Sequence, residues 1–176
     1  MIHEGIPAEQ DHILARVRRG APGRIVVLGV GNPLMCDDGV GVAVAARLAA
    51  GSLLPDDVEV VCAETAGMGL VRHFREADAV VFVDAIDAEA EPGTVFRFSP
   101  DDAGVTSLRS NNIHGMGIGH LLTCARMAGA DPEVVCVGVQ VGDVHAEPDT
   151  LTREVADAVP VAVDVIVREV ERLLGA

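Results

Sequence analysis

Tryptophan and tyrosine are absent from this chain of 176 residues, and phenylalanine occurs only four times. Platforms on which bases or sugars could stack are thereby excluded, and the core has to be aliphatic. Positive charge is scarce as well. The 13 Lys and Arg stand against 27 Asp and Glu, a net charge of −14, which is the wrong sign for neutralising phosphates or resting on anionic lipid. Nucleic acid and membrane surfaces are therefore not expected as partners. No C-x-x-C pair links Cys36, Cys62, Cys124 and Cys136, so zinc-finger and disulfide frameworks are lacking and reduced thiols in a cytoplasmic protein are expected. No run of about 18 residues is free of charge, and neither a membrane span nor a signal peptide is expected.

What the chain does have is aliphatic residues in short, dense runs. Apolar side chains make up 49% of it, enough for one domain that buries roughly two thirds of its unfolded surface. Residues 1–23 read as a peripheral extension, with a short helical pattern, arginines at 16, 18 and 19, and a Gly-Ala-Pro-Gly loop. Residues 24–176 read as a single α/β domain. RIVVLGV (24–30) is a continuous β-branched run, as in a strand buried on both faces of a parallel sheet. Similar runs follow at 58–63, 79–85, 94–98 and 133–140, and helical patterns lie between them at about 38–50, 66–77, 114–128 and 152–174.

The alternation predicts a three-layer αβα sandwich around a mixed, mostly parallel sheet of about five strands. One pairing should be antiparallel, because the short Pro92-Gly93 link between the third and fourth strands leaves no room for a parallel crossover. Pro160 should kink the last helix or open a second one.

Three segments carry candidate chemistry. The turn GVGNPLMCDDGVGV (29–42) leads from the first strand into the first helix, where backbone amides can hold an anion. Leu34 replaces the third glycine of a dinucleotide fingerprint, and Asp37 and Asp38 stand where a pyrophosphate would approach. Two carboxylates there suit a cation, although one of them could simply cap the helix. Asp84 ends VVFV at the carboxyl edge of the third strand, the edge where open α/β sheets bind ligands. It could converge with Asp38 in one crevice, or accept backbone amides of its own turn. His114 stands at the start of the third helical pattern. It is either an ordinary helix-start residue or a third donor, since an imidazole and two carboxylates form a first shell for Zn, Ni or Fe. His120 lies about 240° further round an ideal helix and cannot easily face the same ion. Cys36 has no base next to it in sequence, and the acidic loop at 85–93 reads as a solvated connection.

Together with ETAGMGL (64–70), VVFVDAI (80–86), IHGMGIGHLL (113–122) and VGVQVGDVHAEPDTLT (137–152), the glycine-rich turn resembles the hydrogenase maturation endopeptidases. The resemblance runs from about Arg24 to Leu174. It implies an enzyme that removes the C-terminal extension of the nickel-iron hydrogenase large-subunit precursor after nickel insertion. It assigns metal contact, and with it catalysis, to Asp38, Asp84 and His114; many members carry Glu where this chain has Asp38. The nickel is supplied by the precursor, other divalent metals fit the same donors, and a monomer is the simplest assembly. Water is expected to attack the peptide bond, with one aspartate as general base. Two other readings compete: a nickel sensor or carrier without proteolysis, and a nucleotide-binding regulatory module using Gly29 and Gly31.

Overall fold

A computed structural model describes residues 23–64, 67–100, 118–142 and 150–175. They form one five-stranded sheet: β1 (Ile25–Val30), β2 (Glu59–Glu64), β3 (Ala79–Ile86), β4 (Val95–Phe98) and β5 (Glu133–Gln140). Across the sheet the order is β2-β1-β3-β5-β4. Only the β4–β5 pair is antiparallel. Every residue of β1 and β3 is buried, as continuous β-branched runs require when both faces are covered.

Four helices supply the outer layers. The helices α1 (Val40–Gly51) and α4 (Arg153–Leu174) cover one face, and α2 (Val71–Glu76) and α3 (Ile118–Met127) cover the other. The period of two along a strand divides the core accordingly. Ile25, Val27, Val81 and Val83 pack with Val44, Leu48, Val155 and Ile166, whereas Val26, Leu28, Val80 and Phe82 pack with Phe74, Leu121 and Ala125. Each fully buried aliphatic or Phe side chain contributes about 1.5–3 kcal/mol by leaving water. The expected three-layer αβα sandwich is thus the fold of the described residues.

The expected antiparallel pairing is present, between β4 and β5. The Pro92-Gly93 link does not join neighbours in the sheet, because β5 lies between β3 and β4. The Gly93 N–H donates to the Gln140 carbonyl (2.9 Å), and the Gln140 N–H donates to the Thr94 carbonyl (2.8 Å), so the link crosses the end of β5. Two strand spacings of about 4.8 Å are within easy reach of such a segment. At Pro160 no second helix opens. The residue is exposed and stays inside a helix of 22 residues whose apolar face is locked into the core. That burial outweighs the one backbone bond proline removes.

Of the expected extension, residues 1–22 lie outside the described residues. None of the four cysteines is joined in a disulfide, and among the described residues no helix is long and apolar enough to cross a membrane.

Candidate active site

The strands β1 and β3 lie side by side and parallel, with Gly29 opposite Val83. Their carboxyl ends therefore open on one rim. Asp84 stands near the end of β3, and Asp38 stands in a single 3-10 turn (Cys36–Gly39) between β1 and α1. That turn packs on β3. The reason is Gly41, in the first turn of α1: a Cβ there would collide with the carbonyl oxygens of both Val30 and Val83. Only glycine lets the helix settle across the exits of the two strands, which brings Asp38 to the rim that carries Asp84. Alternation along β3 assigns Asp84 to the face shared with Val80 and Phe82, the one covered by α2 and α3.

Both carboxylates are buried, Asp38 being 4% and Asp84 6% exposed. Asp38 Oδ2 accepts the Asn32 N–H at 2.8 Å, which ties it to the preceding loop. Asp84 Oδ1 accepts the N–H of Ala85 at 2.9 Å. The amide of its own turn is thus one partner of Asp84, as the structural reading of this residue expects. His114 lies outside the described residues; the described part of α3 begins at Ile118. Among the described residues, no group of three His, Cys, Asp or Glu side chains is gathered closely enough to hold a metal ion.

Asp37 does not cap α1. The N-cap residue of α1 is Gly39, and no side-chain bond caps that helix. Asp37 instead reaches to the far end of the chain and is completely buried. Its Oδ2 accepts the Gly142 N–H (3.0 Å) and the Thr152 hydroxyl (3.0 Å), and its Oδ1 accepts the Thr152 N–H (2.7 Å).

The glycines of the turn are explained by packing. A Cβ on Gly29 would strike the Gly41 carbonyl and the Ala45 side chain, and one on Gly31, whose φ is +133°, would strike the Asp38 carbonyl. The space beside Gly29 and Gly31 is thus filled by the protein itself.

Strain gathers at the same rim. Cys36, Glu64 and Glu89, at φ +44°, +42° and +56°, are non-glycine residues in the left-handed region, and they occur at or just after the carboxyl ends of β1, β2 and β3. Each such residue costs about 1–3 kcal/mol and persists only where its surroundings over-determine it. Cys36 is buried, with its thiol 3.1 Å from the Thr150 carbonyl. Glu64 is held through its carbonyl, which accepts the Gly31 N–H at 3.2 Å.

Sequence reasoning missed Gln140. It is 4% exposed, its Oε1 accepts the N–H groups of Ala88 (2.7 Å) and Ala90 (3.3 Å), and its Nε2 donates to the Val141 carbonyl (2.9 Å). It holds the loop after β3 against the end of β5. The one signal for it is an amide closing an otherwise apolar strand, EVVCVGVQ.

A parallel sheet with buried acids at its carboxyl rim defines an α/β protein whose site lies at the strand exits. Comparison with known proteins defines the chemistry. The family described as hydrogenase maturation protease matches residues 42–169. The hydrogenase expression/formation protein HupD of Rhizobium leguminosarum bv. viciae is 33% identical over 147 residues, which span 82% of this chain and 73% of that protein. The hydrogenase 2 maturation protease of Escherichia coli K12 is 36% identical over 120 residues, 66% of this chain and 72% of that one. Among solved structures, the hydrogenase maturating endopeptidase HybD from E. coli superposes with a TM-score of 0.76 at 28% identity, covering 85% of this chain and 93% of its own. The chain belongs to the hydrogenase maturation protease family and is an endopeptidase.

Proposed function

We propose that the enzyme removes the C-terminal extension of a nickel-iron hydrogenase large-subunit precursor in the cytoplasm, and that Asp38, Asp84 and His114 read the nickel already seated in that precursor. The observation that carries this reading is the convergence of two buried carboxylates, from the exits of β1 and β3, on one rim of the sheet. Hard oxygen donors and an imidazole suit a divalent ion. Because the ion arrives with the substrate, the protein need not close a shell by itself, and two carboxylates can suffice until the precursor contributes its own ligands. Cleavage then depends on correct metal loading.

In the reaction, water adds to the scissile carbonyl, the carbon–nitrogen bond breaks, and the products are a new carboxylate and a free amine. One of the two carboxylates takes the proton of the attacking water as general base and returns it to the leaving amine. The substrate's nickel supplies the positive charge that polarises the carbonyl or acidifies the water. The nickel-carrier alternative lacks the support of the two Escherichia coli relatives, which are named as a maturation protease and a maturating endopeptidase.

The test is single substitution. Asp38→Asn, Asp84→Asn and His114→Ala, each verified as folded by circular dichroism, should leave the mass of the loaded precursor unchanged after incubation. Full processing by all three variants would remove these residues from the site.

A further inference from the structure

We propose that Asp37 is a positioning residue for the peptidase reaction: bonded at once to Gly142 and Thr152, its carboxylate holds the turn that carries Asp38 in its working orientation. The inference rests on the assignment of Asp38 to the nickel-reading site.

Four features of the structure converge on it. First, Asp37 is completely buried and accepts three hydrogen bonds from groups 105 and 115 residues away, a pattern that serves no local turn. Second, Thr152 is the N-cap residue of α4 yet makes no side-chain cap bond to its own helix. A threonine there ordinarily accepts an N–H of the first turn; here its hydroxyl donates to Asp37 instead. Third, Gly142 at the exit of β5 and Thr152 at the start of α4 meet on the two oxygens of one side chain. The 36–39 turn is thereby fastened to two elements fixed in the core. Fourth, the turn needs fastening, since Cys36 holds a left-handed backbone. Its thiol lies against the Thr150 carbonyl, a further tie to the same approach to α4.

Asp38 is the next residue, and its backbone N–H donates to the Met35 carbonyl at 3.0 Å within this turn. Rotation of the turn about its anchors would therefore move the Asp38 carboxylate directly. Three N–H and O–H donors, with the Cys36 thiol in addition 3.9 Å from Oδ1, are divided over two acceptor oxygens and demand a carboxylate. An asparagine offers one acceptor oxygen, and its amide group would point N–H against N–H at Thr152 or Gly142.

The experiment measures kcat and KM for cleavage of nickel-loaded precursor by the wild type, Asp37→Asn, Thr152→Val, Thr152→Ser and Asp38→Asn, with thermal melting of each. Misplacement of a reacting group by about 1 Å lowers rate by about a hundredfold. Asp37→Asn should therefore lose about 10- to 100-fold in kcat, with KM changed by less than about threefold. Thr152→Val should lose about tenfold in kcat, and Thr152→Ser, which restores the hydroxyl, should stay within about twofold of wild type. A folded Asp37→Asn enzyme with wild-type kcat, beside an inactive Asp38→Asn, overturns the positioning role and leaves the nickel-reading site intact. Wild-type activity in Asp38→Asn overturns the site itself. Should Asp37→Asn fail to fold, the threonine pair decides: equal rates in Thr152→Val and Thr152→Ser overturn the proposal.

Discussion

A methyl group on Gly41 would lie 2.5 Å from the carbonyl oxygen of Val83, the residue immediately before Asp84. Helix α1 and strand β3 thus approach as closely as backbone permits, and this approach brings the two acids to a common rim. Gly41→Ala should push the helix away and destabilise the protein by about 1–3 kcal/mol, as overpacking of a filled core does. Cleavage should fall more than the loss of folded protein accounts for, because Asp38 lies less than one helical turn upstream. Urea denaturation and cleavage rate on the same preparation measure the two effects. An unchanged urea midpoint would contradict the close packing.

Gln140→Leu tests the loop after β3. Leucine conserves volume but leaves the N–H groups of Ala88 and Ala90 without the amide oxygen that now accepts both. A buried donor left unsatisfied costs about 1–3 kcal/mol. The variant should show a lower urea midpoint and faster hydrogen exchange at residues 88 and 90, whereas unchanged exchange there would contradict the stapling role.

His73 predicts a pH dependence on the opposite edge of the sheet. Its ring is buried, its Nε2 accepts from Arg72 Nε at 3.2 Å, and its Nδ1 has no hydrogen-bond partner among the described residues, with Glu59 Oε1 3.8 Å away. Burial, followed by the neighbouring Arg72 charge, holds its pKa below the usual 6.5, against the opposing pull of Glu59 and Glu76. The unfolded chain then binds the proton more readily than the folded one. Stability is complete above the unfolded value and falls as pH drops below it. The urea midpoint of the wild type should decline between pH 7.5 and 5.5 more steeply than that of His73→Gln; parallel declines would contradict this.

Glu169 predicts a second, more acidic transition. Burial alone would raise its pKa, but hydrogen bonds from Arg97 and Arg172 outweigh that and hold it below 4.5. The Arg97 bonds link β4 to α4, and the Arg172 bond lies within α4. Their contribution is present above the unfolded value and is lost as pH falls through the folded one. Glu169→Gln should be less stable than wild type at pH 7, with the difference shrinking toward pH 3. A difference constant with pH would contradict the ion-pair account.

The strands were legible because each is a short run of β-branched residues ended by a polar or glycine residue, and Asp38 and Asp84 were legible because they are charges placed at those ends. Their rim follows from the parallel arrangement of β1 and β3 together with the close approach that Gly41 permits. The order of strands was not legible: β5 enters between β3 and β4 through bonds from Gly93 and Gln140 that no local pattern encodes. The partners of Asp37 were not legible for the same reason. Its chemistry is set by Gly142 and Thr152, more than 100 residues distant, so a helix cap and an interelement clamp look alike until the chain is folded. The glycines at 29 and 31 suggested a phosphate loop, and what a side chain there would strike is the carbonyls of Gly41 and Asp38, in the helix and turn that follow.

The mass of a hydrogenase large subunit, recorded after incubation with this enzyme in nickel-loaded and nickel-free forms, tests the central claim most directly. Metal reading by the rim carboxylates predicts that a C-terminal peptide leaves the loaded form alone. Equal shortening of both forms, or of neither, would contradict it.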